Sequence, residues 1–264
     1  MSSSNPFAKG SGEHEDQEMP LLEHLAELRS RLLRIVLAVL IIFFPLFYVA
    51  NDLYAFISKP LRAALPEGST MIATEVASPF LTPFKLAFVL AFFIAIPYVL
   101  HQIWSFVAPG LYRHEKRVAV PLLVSSVILF YTGMAFAYYA VFPLVFAFLI
   151  GVAPADVAIM TDINAYLNFV LKMFFAFGFA FEIPVATLLL VWSGATSVSA
   201  LRAKRAYVLV GCFVFAMLLT PPDVISQVLL AIPMWLLYEV GILFAGWVDH
   251  KDGNAGEGET KDGK

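Results

Sequence analysis

The sequence predicts an all-α integral membrane protein with six transmembrane helices, an unusually short fifth helix and both termini in the cytoplasm. Hydrophobic residues make up 60% of the 264 residues, charged residues only 14%, and the mean hydropathy is +0.81. Soluble domains carry about 25% charged residues, so this much apolar surface is expected to face lipid. The second observation is the spacing of the charges, which separate apolar runs of membrane-spanning length.

Six apolar runs are predicted to cross the membrane. A helix rises about 1.5 Å per residue and the hydrocarbon core is about 30 Å thick, so a span needs roughly 20 residues. The fifth run provides only about 20 Å of helix, which makes it the short one. Residues 51–85, rich in proline, are expected to form an ordered extramembrane loop with brief helices. The predicted spans are residues 33–50, 86–107, 118–142, 165–192, 207–219 and 224–247.

The chain is predicted to form one membrane domain between two tails. Residues 1–18 and 250–264 are polar and charged, and both are expected to be disordered in the cytoplasm. Residues 19–249 form the membrane domain, which opens with an amphipathic helix in the membrane interface. On that helix Glu27 and Arg31 are four residues apart and are predicted to pair. Its apolar stripe consists of Leu21, Leu25, Leu28 and Leu32.

The distribution of basic residues predicts the orientation. The N-terminal region, the loop around Arg113, the loop around Arg202 and the C-terminal tail hold 13 of the 17 Lys and Arg residues. The alternate loops and adjoining helix ends hold the other four. Because basic loops stay in the cytoplasm, both termini are predicted to be cytoplasmic, consistent with an even number of spans.

No motif predicts catalysis. His114-Glu115 lacks the second histidine of a zinc protease helix, and neither a nucleophile elbow nor a phosphate-binding loop occurs. Cys212 is the single cysteine, which excludes an internal disulfide and a thiol-based metal cluster. We therefore expect neither an enzyme nor a bound metal or cofactor, and no nucleic-acid partner.

Glu182 is the conspicuous polar residue of the spans. A carboxyl group inside an apolar span is costly and usually faces a cavity or a protein partner. Pro184 leaves a further polar group open in this span, because it has no N–H to donate to the carbonyl of Ala180. A structural explanation, a protonated Glu182 satisfied inside the bundle, is the alternative to a functional one.

Several motifs, taken together and in order, resemble the TatC family, the multispanning subunit of the twin-arginine protein translocase. Each motif is weak alone, and the resemblance rests on their conjunction over about residues 21–245. The motifs are HLAELRSR at 24–31, TMIATEVASPF at 70–80, APGLYRHE at 108–115, FEIP at 181–184 and LLTPPD at 218–223.

The resemblance implies a receptor for the signal peptides of folded export proteins. By motif position, the paired arginines of such a peptide would be held by Glu27 and Glu115, with Phe106 supporting the same site. Arg29 and Pro60 also fall on positions that the family uses. Charge-assisted, partly bidentate bonds between carboxylate and guanidinium suit this task. Neutralisation of Glu115 by its basic neighbours in the same loop is the local alternative.

The resemblance also implies a complex in the bacterial cytoplasmic (inner) membrane, energised by the proton-motive force. Its partners would be single-span subunits of the TatA and TatB type, and Glu182 would serve transport. Met217, Thr220 and Gln227 match the polar cluster where these partners dock. Packing of Met217, a bond from Thr220 to its own helix, and contact of Gln227 with the neighbouring span are the structural alternatives.

A different class of function is a proton-coupled secondary transporter of a small solute that uses Glu182 as its ligand. Such transporters show inverted repeats and paired broken helices. No convincing repeat is visible in the sequence, so this alternative ranks behind the translocase.

Overall fold

The computed structural model describes the backbone of residues 12–66, 69–111, 116–154, 159–220 and 224–259. Side chains are described for residues 26–66, 69–106, 120–154, 159–220 and 224–247. Within these ranges the chain is helical, and its β-structure is a bridge between Ile72 and Asp162. The helices are α1 Gly12–Tyr48, α2 Ala50–Ile57, α3 Lys59–Ala64, α4 Ser78–Leu111, α5 Lys116–Phe136, a π-helical turn Ala137–Val141, α6 Phe142–Gly151, α7 Ile163–Ala180, α8 Ile183–Trp192, α9 Val198–Ala203, α10 Arg205–Leu219 and α11 Val224–Glu259.

The predicted all-α membrane fold is confirmed. Five segments of the described chain are long and apolar enough to cross a bilayer, whereas α10 has only 15 residues, or about 22 Å of helix. The count of six spans, which requires α10 to cross as well, stays a prediction. The five segments are Ala26–Tyr48, Ser78–Phe106, Val120–Gly151, Ile163–Trp192 and Val224–Trp247.

The helix boundaries differ from the prediction in several places, among them the start of α4 at Ser78, inside the predicted loop 51–85. The α1 helix begins at Gly12, inside the tail 1–18, and runs through the expected amphipathic helix and first span without a break. The α11 helix continues to Glu259, inside the tail 250–264. Once a helix exists, each added residue gains one hydrogen bond, which favours such extension. Residues 1–11 and 260–264 of the two tails lie outside the described residues.

The third span also continues beyond its predicted end at residue 142. Pro143 suggested a helix stop there, but the backbone widens into the π-helical turn and continues as α6 to Gly151. The N–H of Phe142 donates to the carbonyl of Ala137, a five-residue step that accommodates the proline immediately after it.

Small residues determine where the helices approach closely. Ala87, Ala91 and Ala95 form a buried stripe on α4 against which α1 packs. A Cβ at Gly133 of α5 would lie 2.3 Å from the carbonyl oxygen of Phe177 on α7. These helices pack backbone to backbone, the usual way in which membrane helices associate without a hydrophobic driving force.

The carbonyl of Phe93 shows how the bundle tolerates a proline within a span. Pro97 cannot donate to that carbonyl, which lies one turn earlier in α4. The hydroxyl of Tyr131 on α5 donates to it instead, at 3.0 Å. The neighbouring helix therefore satisfies the group that the proline leaves open.

Asp162 joins the segment after α3 to the start of α7. Its side chain accepts from the backbone N–H groups of Asn164 and Ala165, both at 2.9 Å, and so caps α7. It also accepts from the N–H and the hydroxyl of Thr74, at 2.9 and 2.7 Å. The hydrogen bonds from Ala165 and then from Thr74 lower the pKa of Asp162 to about 2.

Candidate functional site

Glu27 is held by a guanidinium group. The Nε and Nη2 atoms of Arg31 donate to Oε1 of Glu27 at 2.9 and 2.6 Å, which confirms the predicted pair. The Glu27 side chain is 44% exposed and that of Arg31 is 19% exposed. Both bonds end on Oε1, so Oε2 remains open toward solvent among the side chains described.

Arg31 also ties α1 to α4. Its Nη1 atom donates to the side-chain oxygen of Gln102 at 3.1 Å and to the Gln102 carbonyl at 3.4 Å. Its Nη2 atom donates to the carbonyl of Ser105 at 3.2 Å. That carbonyl would normally accept from residue 109, which is a proline without an N–H. Pro109 therefore leaves the Ser105 carbonyl free to accept from Arg31, and this bond helps to attach Arg31 to α4.

The predicted signal-peptide residues are only partly brought together. Phe106 follows Ser105 on α4 and is half-buried beside the attachment of Arg31. Arg29 lies about 200° around α1 from Glu27, because two helical residues rotate by that angle. It lines a separate groove of about 470 Å³ on α1. Glu115, the second predicted carboxylate, lies outside the described residues.

Pro60 lies at the other end of α1 from Glu27. The helix between Glu27 and Tyr48 is about 30 Å long, so Pro60 on α3 does not share the surface of Glu27. Its local effect resembles that of Pro97: the carbonyl of Phe56, four residues earlier, accepts from the hydroxyl of Tyr138 at 2.9 Å. Pro60 therefore does not contact the group bound at Glu27 itself, and its place in signal-peptide binding stays a prediction.

Glu182 occupies a break within the span Ile163–Trp192. The α7 helix ends at Ala180 and α8 begins at Ile183, with Pro184 in its first turn. The N–H of Glu182 donates to the carbonyl of Phe179 at 3.0 Å. The carboxyl group is thereby placed at a turn between two helices rather than on a continuous helix face.

A cavity of about 360 Å³ lies beside Glu182. Ser126 of α5 approaches the carboxylate, whereas Oε1 is buried and has no hydrogen-bond partner among the described residues. Neither of the two ion pairs in the described residues involves Glu182. A polar atom without a partner in an apolar cavity is costly unless a further group reaches it. The cavity is lined by Leu100, Ile103, Trp104, Ser126, Glu182, Val185, Ala186, Leu189, Leu190 and Ser193.

The three predicted docking residues differ in accessibility. Met217 on α10 is 60% exposed, so packing inside the bundle does not account for it. Thr220 is 8% exposed and its hydroxyl donates to the carbonyl of Ala216 at 3.0 Å, as the structural alternative expected. Gln227 on α11 is half-buried. Met217 and Gln227 therefore retain accessible surface, whereas the hydroxyl of Thr220 already donates its hydrogen bond within its own helix.

Sequence reasoning missed Gln102, Ser126 and the ion pair between Arg205 and Glu239. Arg205 Nη2 lies 2.6 Å from Glu239 Oε2 and joins the start of α10 to α11. Gln102 and Glu239 lie inside apolar runs, so the rule that singled out Glu182 applied to them as well. A serine such as Ser126 gives no comparable signal, because serine is frequent in membrane helices.

The fold and these sites define a polytopic helical membrane protein whose candidate surfaces suit a peptide or a further helix. The profile of the TatC family, described as Sec-independent protein translocase protein, matches residues 23–233. TatC of Azotobacter chroococcum is 64% identical over 237 residues, which cover 90% of this chain and 93% of the relative. TatC of Escherichia coli K12 is 56% identical over 242 residues, covering 92% and 94%. The chain therefore belongs to the TatC family.

A solved structure agrees with this assignment. A crystal structure described as the twin arginine translocase receptor TatC matches with a TM-score of 0.76 at 37% identity, covering 85% of this chain and 98% of that chain. The chain is thus a multi-pass protein of the bacterial inner membrane and a component of the twin-arginine, Sec-independent protein translocase. The family consists of translocase components rather than known enzymes, and the comparisons give the solute-transporter alternative no support.

Proposed function

We propose that this chain is the signal-peptide receptor of its translocase, with Glu27, Phe106 and Glu115 forming the binding surface. The observation that carries the proposal is the bonding of Glu27 to Arg31. Two guanidinium nitrogens already donate to this carboxylate, at 2.9 and 2.6 Å. The surface thus has the geometry and charge that an arginine of a signal peptide needs. Phe106 supplies an apolar contact nearby, and Glu115 supplies the second carboxylate.

The proposed topology has six spans with both termini in the cytoplasm. Arg31 joins the start of the span Ala26–Tyr48 to the last turns of α4, so these two ends lie on the same side of the bundle. Leu201 of α9 packs with Tyr238 and Ile242 of α11, which places the Arg202 loop beside the second half of the span Val224–Trp247. These two contacts support a topology in which successive loops alternate between the two sides of the membrane and the basic segments share one side.

Glu182 serves a later step of transport in this proposal. Its cavity lies within the membrane span, and its buried Oε1 atom is available for a donor from another helix or for water. Met217 and Gln227, on the last two helices, form the docking surface for single-span TatA-type and TatB-type partners in an oligomeric complex. The chain itself catalyses no bond-making reaction, and the proton-motive force drives export.

Photo-crosslinking tests the receptor. A photo-reactive residue at Phe106 or Glu115 should crosslink to a twin-arginine signal peptide added to membranes that contain the assembled complex. A twin-lysine peptide serves as the control and should crosslink weakly. Equal yields with the two peptides, or yields matched by a probe at exposed Val210 on α10, would place the receptor elsewhere.

A further inference from the structure

A group of polar side chains lies on one face of α7 and reaches α4. The ammonium of Lys85 on α4 donates to the side-chain oxygen of Asn168. The amide nitrogen of Asn168 donates in turn to the side-chain oxygen of Asn164 at 3.3 Å. Lys172 is exposed and lies four residues after Asn168, so it shares that face one turn further along α7. We call Lys85, Asn164, Asn168 and Lys172 the donor cluster; all four lie inside apolar spans.

The donor cluster presents N–H groups and positive charge. Each asparagine oxygen already accepts a hydrogen bond, whereas both lysines retain N–H donors beyond the bonds made among the described residues. Neither of the two ion pairs in the described residues includes a lysine. Because Asn168 contacts Lys85 and lies one turn from Lys172, the two ammonium groups are neighbours. An anion between them would accept from these donors and offset the repulsion between the two charges.

The depth of the donor cluster fits the headgroup of a lipid. The α4 and α7 helices begin at the same membrane surface, because Ile72 and Asp162, shortly before them, form a bridge. Lys85 lies about 10 Å and Lys172 about 14 Å along the helix from these starts. Side chains on a helix tilt toward its N-terminus, and lysine stems extend through apolar surroundings toward polar groups. Both ammonium groups can therefore reach the level of the lipid phosphates.

The surface beyond the donor cluster is aromatic. Phe175 and Phe179 continue the face of Lys172 along α7, and their stacked rings have centroids 6.1 Å apart. On α4, Phe88 follows Lys85 and is 47% exposed. This face thus changes from polar to apolar along the helix axis, in the order of the headgroup and acyl chain of a phospholipid. A carboxylate of a partner helix would match the lysines but would not account for this order.

We propose that the donor cluster is a binding site for an anionic phospholipid, whose phosphate lies between Lys85 and Lys172 and whose acyl chain lies on the aromatic surface. Basic pockets between membrane helices are suited to anionic headgroups. A zwitterionic lipid binds less well, because the two lysines repel the cation of its headgroup. The site does not depend on the proposed receptor role: it lies toward the opposite end of α4 from the Arg31 attachment, and the Glu182 cavity contains none of its residues.

Photo-crosslinking of the full chain in nanodiscs tests the site. Benzoylphenylalanine in place of Phe88 captures neighbouring lipid from a bilayer of phosphatidylglycerol and phosphatidylcholine in equal amounts, and mass spectrometry identifies the adducts. Phosphatidylglycerol adducts should exceed phosphatidylcholine adducts by about five-fold or more, equivalent to about 1 kcal/mol of preference.

The matched control is the same probe in place of Phe44 of α1, which is 70% exposed. Phe44 lies at the depth of the donor cluster, because the ring of the preceding Phe43 is 5.2 Å from that of Phe84, next to Lys85. The two lipids should be captured there in nearly equal amounts. The same ratio of adducts at Phe88 and Phe44 would overturn the proposal, and this comparison needs no change to either lysine.

Charge-removing variants assign the preference to the lysines. Lys85→Gln and Lys172→Gln each replace an ammonium by a neutral amide. With the probe at Phe88, the double variant should lower the phosphatidylglycerol excess to the value at Phe44, and each single variant should lower it in part. Lys59→Gln removes a lysine from α3, outside the apolar spans, and should leave the excess unchanged. An unchanged excess in the assembled double variant, or an equal fall in Lys59→Gln, would contradict the proposed site.

The Phe88 probe in the full translocase complex separates a lipid from a partner helix. Lipid adducts with the same phosphatidylglycerol excess should persist when the partner subunits are present. Replacement of the lipid adducts by adducts to a partner protein would assign the donor cluster to an interface between subunits, and the lipid proposal would fall.

Discussion

Glu27 and Glu182 are the same residue type in opposite surroundings. Glu27 lies on an exposed helix face and is bonded to a guanidinium group. Glu182 lies at a helix break within a span, beside an apolar cavity, with one buried oxygen that has no partner among the described residues. The first arrangement favours recognition of a cation, and the second favours a hydrogen-bonding partner inside the membrane.

Glu239 clarifies the comparison because it is also a carboxylate within a span. Its charge is offset by Arg205 of the neighbouring helix at 2.6 Å. An intramembrane carboxylate that has a cation can serve as a link between two helices. Glu182, which is in neither ion pair of the described residues, is therefore the better candidate for a contact made during transport.

The largest expected effect is that of Glu182→Ala. Export should fall to background, whereas binding of the signal peptide should be nearly unchanged, because the residues that line the cavity include none from α1, the helix that carries Glu27. Glu182→Gln keeps the shape and the hydrogen-bonding capacity and should retain partial export. The measurement is the amount of a folded cargo protein in the periplasm, together with peptide affinity for the purified complex. Loss of peptide binding in Glu182→Ala would erase the distinction between the two carboxylates.

The next effect is that of Glu27→Gln on peptide affinity. The change keeps the size of the side chain and removes its charge, so a charge-assisted bond contributing about 1.5–3 kcal/mol is weakened. The affinity for a twin-arginine peptide should fall by roughly ten-fold or more, while the complex still assembles. Anisotropy titration measures the loss, and Arg62→Gln, on α3, provides a matched charge-removing control. Unchanged affinity in Glu27→Gln, in Glu115→Gln and in the double variant would remove the receptor surface from α1 and α4.

Part of this site was predictable from local sequence. The spacing of Glu27 and Arg31 predicts their pair because residues four apart share a helix face. An apolar context identifies Glu182, since carboxylates in spans are rare, and the same rule should also have identified Glu239. The attachment of Arg31 to Gln102 and Ser105 was not predictable in this way. It depends on the register between α1 and α4, which the alanine stripe on α4 helps to set.

The fold was predictable to a similar degree. Length and hydropathy identified the long spans and the short α10, because these quantities follow directly from helix rise and bilayer thickness. The helix of the third span continues to Gly151, past the predicted span end at residue 142, because the π-helical turn that accommodates Pro143 is invisible in the composition. Gly133 would have predicted a close helix approach only if its partner, the carbonyl of Phe177, had been known.

A smaller effect is expected at the ion pair between Glu239 and Arg205. Glu239→Gln keeps one hydrogen bond to Arg205 and removes the charge, which should cost roughly 1 kcal/mol because the arginine is partly exposed to solvent. The thermal midpoint of the purified protein should fall by about 2–4 °C. Export and peptide binding should persist. Loss of export at unchanged thermal stability would show that Glu239 shares the role proposed for Glu182.

The smallest expected effect concerns Asp162, a half-buried carboxylate that lies just before the apolar span Ile163–Trp192. Because its pKa in the folded chain is lowered to about 2, its ionised form stabilises the cap between Thr74 and α7. That contribution is fully present above the ordinary pKa of aspartate, near 4, and is lost as the pH falls from there through about 2.

The matched variant for this prediction is Asp162→Asn, which retains an oxygen for the N–H groups of Asn164 and Ala165 but carries no charge. The difference in thermal midpoint between wild type and Asp162→Asn should be constant from pH 7 to about 5 and should shrink steadily below about 4. Differential scanning fluorimetry of the two proteins across this range measures it. A difference that grows as the pH falls would mean that the protonated form of Asp162 is the one that stabilises the cap.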